Sequence, residues 1–171
     1  DYESVVQTNP HVIYCQITGF GSGKGAEMPG YDLLVQAMGG LMSITGPGPG
    51  DPTKVGVALV DVITGMHATI GILAALNHRH ETGEGQLVEV NLLSSLLSAL
   101  VNQASSFVSG GKVPGILGNA HPSITPYEVY QTGDRPLVIA VGNDNQFAKL
   151  CDVLGIPEIA EQEKFATNTS R

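Results

Sequence analysis

The residue whose type and setting most suggest chemistry is Asp61, in the run VGVALVDVITGMH with apolar neighbours on both sides. A carboxylate in such surroundings is costly unless it is bonded or paired. Two roles fit a position where a helix is about to begin. As an N-cap, Asp61 accepts backbone N–H groups, which stabilises a helix by roughly 0.5–2 kcal/mol. As a nucleophile, it attacks a thioester and forms a mixed anhydride, and the helix N-terminus steadies the negative charge. The residues around it leave both roles open.

Other reactive types are arranged less well. His78 and His80 are two apart and do not share a helix face, and His67 and His121 stand alone. No paired cysteine spacing accompanies them, so no metal site is expected. Ser94, Ser95 and Ser98 lack a G-x-S-x-G elbow and read as helix-packing residues. Gly19-Phe20-Gly21, with Gly23 and Gly25, forms a glycine-rich loop after a strand-like run. It does not fit the dinucleotide fingerprint, but the C-terminal end of a strand is where α/β proteins bind ligands. Gly118-Asn119-Ala120-His121-Pro122 is turn-prone. It is read either as a linker or as a lid or wall of a site at a domain boundary.

The elements that position these residues follow from hydrophobic period and turn chemistry. Residues 12–17 (VIYCQI) predict a short, mostly buried strand, and 18–30 a loop. Residues 32–41 predict a helix stopped by two glycines, and the Gly/Pro run at 45–52 another loop. A long helix is expected from Val62 to His80, with Ile63, Met66, Ile70, Leu73 and Leu76 near one face. A strand at 86–90 and one helix from Asn91 to Val108 complete a first α/β layer unit. Three prolines then mark 112–126 as a linker or ordered loop. Two strands, 127–131 and 137–141, and a helix at 145–154 form a second, α+β unit. The expected division is therefore 1–110, 111–126 and 127–171.

Composition narrows the function. The chain has 171 residues, a net charge of −8 and only eight Lys and Arg, which are scattered. No basic footprint for nucleic acid exists. Gly, Thr and His interrupt the longest apolar stretches, so no membrane span is expected. Cys15 and Cys151 lie far apart and read as reduced, buried thiols in an intracellular setting, cytoplasmic or, in a eukaryote, mitochondrial. Residue 1 is Asp, and 165–171 run out without a capping element, so the chain is read as part of a longer protein.

Longer strings then carry a resemblance. VGVALVDVITGMHATIGILAAL followed by HETGEGQLVEVNLLSSLL resembles the class III CoA-transferase (CaiB/BaiF) family, as do NPHVIYCQITGFG, PGYDLLVQAMGGLMSITG, GNAHPSITPYEVYQTGD and IAVGNDNQFAKL. The resemblance covers nearly the whole chain. It implies a Rossmann-like large domain, incomplete here, with the start of a small α+β domain, in a homodimer whose subunits interlock. It implies an enzyme that uses coenzyme A and acyl-CoA as substrates and moves CoA between carboxylic acids. Asp61 matches the family's catalytic aspartate, which forms an aspartyl–acyl anhydride and frees the CoA thiolate. Gly19 and Phe20 match a loop that contacts CoA. Gly118, Asn119 and His121 fall where some members carry a mobile glycine-rich active-site loop, although GNAHP departs from that pattern. The family's racemase branch has a histidine directly before the aspartate that matches Asp32. Here that position is Tyr31, and a phenol is a poor base at neutral pH. Transfer is therefore the preferred reading. An acyl-CoA racemase or epimerase and a non-catalytic CoA-ester binding module with Asp61 as a cap are the alternatives.

Overall fold

A computed structural model describes residues 1–171, which divide into two compact units, Asp1–Ile116 and Leu117–Arg171. The boundary falls inside the stretch read as linker. Ile116 is buried in the first unit, within reach of Gly46, while His121 donates its N–H to the Tyr127 carbonyl in the second.

The first unit opens with a helix, α1 (Tyr2–Thr8), absent from the sequence reading and capped by the Asp1 side chain. Strand β1 (Ile13–Thr18) pairs in parallel with β2 (Gln86–Asn91), in register from Ile13↔Gln86 to Thr18↔Asn91. Parallel neighbours need a crossover. This one carries α2 (Asp32–Met38), a 3₁₀ turn at Met42–Ile44 and the 24-residue α3 (Leu59–Thr82).

The face that α3 buries differs from the expected one. Val60, Thr64, Ala68 and Ala75 are buried, whereas Met66, Ile70 and Leu73 are each about 60% exposed. The reason lies at Gly71, where a Cβ would stand 2.6 Å from Val88 Cγ1 of β2. The helix rides so close to the sheet that only small residues fit beneath it, and the bulky ones turn outward. Against expectation, α3 is also long and apolar enough to cross a membrane, because its interruptions are mild and Asp61, Arg79 and Glu81 sit near its ends. Its small-residue face packs on the sheet, with Gly71 against Val88.

The helix expected over 91–108 is two helices, α4 (Leu92–Ala99) and α5 (Val101–Gly110), bent by 80°. The break sits at Val101, whose φ of +32° is a strained value for a β-branched residue. No glycine or proline announces it. The core joins Val35 of α2, Val60 of α3, and Leu92 and Leu96 of α4, with Phe20, Leu41, Leu93 and Leu100 packed against them.

The second unit is a hairpin of β3 (Tyr127–Tyr130) and β4 (Leu137–Ala140), antiparallel from Tyr127↔Ala140 to Tyr130↔Leu137, with α6 (Asp144–Val153). Val141, Phe147 and Cys151 form its core. Cys151 is buried as expected, but Cys15 is only half-buried. Burial, and then Glu128, push the Tyr130 phenol above its ordinary range.

The last residues also differ from expectation, since they fold back onto this unit. The Arg171 side chain is 2% exposed and stacks over the Phe147 ring. It donates to the carbonyls of Thr125 and Phe165 and pairs with Asp144 at 3.0 Å. Hydrogen bonds to charged groups contribute about 1.5–3 kcal/mol each and are not additive, so Arg171→Ala should destabilise the second unit by about 3 kcal/mol. Denaturant unfolding followed by Tyr fluorescence measures this. A change within ordinary surface scatter would contradict the latch.

Candidate active site

Asp61 lies in the first turn of α3, three residues after the N-cap Ala58, and its carboxylate is exposed. The capping role weighed for it is thus corrected. The helix begins at Leu59, earlier than expected, because Leu59 N–H already bonds the Val57 carbonyl and Val62 N–H bonds that of Ala58. Asp61 is left free of protein hydrogen bonds.

The cap comes instead from another helix. Asp32, the first residue of α2, accepts the Val60 N–H at 2.8 Å through Oδ1. Its Oδ2 accepts Gln36 Nε2 at 2.7 Å, and Gln36 Oε1 accepts the Val55 N–H at 2.9 Å. Gln36 is fully buried. Two polar side chains one turn apart therefore fasten both the loop before α3 and its first turn. Fixing the residue before Asp61 fixes the direction in which Asp61 leaves the core. Asp32 enters the sequence reading only as the neighbour of Tyr31. The signal for its role is present in DLLVQAM, an apolar helix with Asp and Gln at i and i+4.

Gly19 and Phe20 belong to the same unit. A Cβ on Gly19 would meet Gly30 Cα at 2.6 Å, so the loop closes on itself where these two glycines cross. The Gly19 carbonyl also accepts the Leu93 N–H at 3.1 Å, at the start of α4. Phe20 is half-buried on the cluster that contains Val60. Phe20 thus packs on the core that also holds Val60, the chain neighbour of Asp61, while Asp61 itself is exposed. Beside the loop, a polar hollow of about 220 Å³ opens at the C-terminal ends of β1 and β2, lined by Gln16, Thr18, Gly21, Ser22, Glu89 and Asn91. Asn91 caps α4 by accepting the Ser94 N–H. Between α3 and α4, His67 Nδ1 lies 3.0 Å from the buried Ser95 hydroxyl, which accounts for both residues as packing partners.

Gly118, Asn119 and His121 belong to the second unit. Gly118 has φ +60° in a turn closed by Ala120 N–H on the Leu117 carbonyl. His121 Nδ1 accepts the Ser123 N–H at 3.1 Å, and its ring lies 5.2 Å from that of Tyr127. The segment is an ordered turn within that unit.

The chain is similar to known proteins over its whole length. The family model described as CoA-transferase family III matches residues 1–171. A succinate–glutarate CoA-transferase of Agrobacterium fabrum is 50% identical, over 100% of this chain and 43% of its own length. A succinyl-CoA:glutarate CoA-transferase of Mus musculus is 44% identical, over 99% of this chain and 39% of its own. An acetyl-CoA:oxalate CoA-transferase of Acetobacter aceti is 40% identical, over 100% and 44%. Among solved structures, a CaiB/BaiF family protein from Brucella suis is 47% identical with TM-score 0.81, covering 100% of this chain and 46% of that one. The chain spans less than half the length of these relatives.

Proposed function

The chain belongs to CoA-transferase family III, and from that premise we propose that the full-length protein moves CoA from an acyl-CoA donor to a carboxylic acid, with Asp61 as the covalent nucleophile. The observation that carries this reading is the free carboxylate at the start of α3, whose cap is supplied by Asp32. A carboxylate employed only as a cap would not stand unbonded beside a helix terminus capped from elsewhere.

In the first step an Asp61 oxygen attacks the thioester carbonyl, the C–S bond breaks, and CoA leaves as thiolate. The product is a mixed anhydride of Asp61 and the donor acyl group. The acceptor carboxylate then attacks the Asp61 carbonyl carbon and expels the donor acid as carboxylate. The thiolate attacks the acceptor's carbonyl, re-forms a C–S bond and frees Asp61. No water enters, so the high-energy bond is conserved throughout. The positive end of α3 favours the carboxylate and the charge that develops on it.

Gly19 and Phe20 serve the CoA side of this site in the proposal, and Gly118, Asn119 and His121 serve as an active-site loop. The working form is an interlocked homodimer, in which further protein covers the exposed apolar side chains of Leu73 and Leu76. The names of the similar proteins favour dicarboxylic acids as substrates. The full-length enzyme given succinyl-CoA and glutarate should therefore yield glutaryl-CoA and succinate, followed by chromatography of the CoA esters. Absence of any exchange from succinyl-CoA to glutarate, oxalate or mesaconate would reject the reading.

A further inference from the structure

Helix α3 has two interior glycines, Gly65 and Gly71, and only one has a packing reason. Gly71 lets the helix ride on Val88, as described above. A Cβ at Gly65 would meet nothing within 4 Å, and no left-handed backbone conformation requires glycine there. Glycine in a helix interior is less stable than alanine, so Gly65 carries a cost that the fold of this unit does not repay.

Its place is informative. Gly65 lies four residues after Asp61, on the same side of α3, and lines a shallow exposed hollow together with Val62, Met66, Thr69 and Ile70. Side chains on a helix lean toward its N-terminus. A side chain at 65 would therefore lie against the base of Asp61, with the two Cβ atoms about 5–6 Å apart. The missing side chain keeps one flank of the carboxylate open.

We propose that Gly65 is a specificity-determining residue, whose missing side chain leaves the space through which the acyl group of the thioester reaches Asp61. The inference rests on Asp61 being the nucleophile. The apolar walls from Val62 and Met66 suit the methylenes of an acyl chain, and the open flank suits a carbonyl carbon that must come within bonding distance of a carboxylate oxygen. The competing occupant of the gap is another segment of the full-length protein packed against the glycine.

The test is Gly65→Ala and Gly65→Leu in the full-length enzyme, with succinyl-CoA as donor, alongside apparent Tm without substrate. Both replacements are good helix formers. kcat/KM should fall on the order of tenfold for alanine, the scale of one methylene-sized misfit, and further for leucine. Tm should hold or rise. A drop in Tm for the alanine variant would mean that the gap is filled by protein, and would overturn the inference. Unchanged kcat/KM in both variants would overturn it too. Hydroxylamine trapping on the wild type separates this failure from that of its premise. If wild-type Asp61 never becomes acylated, premise and inference fall together. If it does and the variants react as fast, only the role of Gly65 falls.

Discussion

Asp61→Asn in the full-length enzyme should lower CoA transfer by on the order of 10³-fold or more and leave the apparent Tm almost unchanged. The amide is the same size as the carboxylate but is a far weaker nucleophile. The structure explains why the fold should survive. Asp61 is exposed, makes no protein hydrogen bond, and is not the cap of its helix. Paired measurement of kcat and thermal unfolding separates the two roles considered from the sequence. A cap would show lost stability with residual turnover, and a nucleophile shows lost turnover with retained stability. Normal turnover by the Asp61→Asn variant would reject the chemistry.

The second large effect is expected at Asp32, and there both quantities should change. Asp32→Ala strips the acceptor from the Val60 N–H and from Gln36 Nε2. Val60 and Gln36 are fully buried, so these donors are left without partners. With each orphaned group costing about 1–3 kcal/mol, the variant should lose about 3 kcal/mol of stability. The start of α3 would also be released, and misplacing a reacting group by about 1 Å can cost about 10²-fold in rate. Asp32→Asn is the informative control. Its Oδ1 can still accept the Val60 N–H. Gln36 must then turn its carbonyl toward the new amide, and in doing so it abandons the Val55 N–H. Partial rescue of stability, together with partial rescue of Asp61 acylation, would identify Asp32 as a positioning residue. A wild-type acylation rate in the Asp32→Ala variant would show that the α3 terminus holds its place without this carboxylate.

Much of this arrangement could be read from the residues. All four strands, the glycine-rich loop after β1, the long helix after the Gly/Pro run and the helix at 144–153 follow from period and turn chemistry. What escaped depended on contacts distant in sequence. The outward turn of Met66, Ile70 and Leu73 follows from one close approach, Gly71 on Val88, which helical spacing cannot reveal. The bend at Val101 has no local breaker. Arg171 looks like a trailing residue in the sequence because its partners, Thr125 and Asp144, lie far up the chain.

The candidate site shows the same division. Asp61 stands out by its chemistry against apolar neighbours, and the family resemblance picks the same residue. Its role as cap or nucleophile turns on where the helix begins and on what else reaches the terminus. The structure answers for the cap, which Asp32 supplies to the Val60 N–H from 28 positions earlier in the chain.

The most direct test of the central claim is to incubate the full-length enzyme with succinyl-CoA, quench with hydroxylamine, and read the peptide that contains Asp61 by mass spectrometry. An anhydride at Asp61 predicts a hydroxamate on that side chain, dependent on donor and absent from Asp61→Asn. Glutaryl-CoA formation at full rate with Asp61 unmodified, and a hydroxamate on another carboxylate, would contradict the assignment.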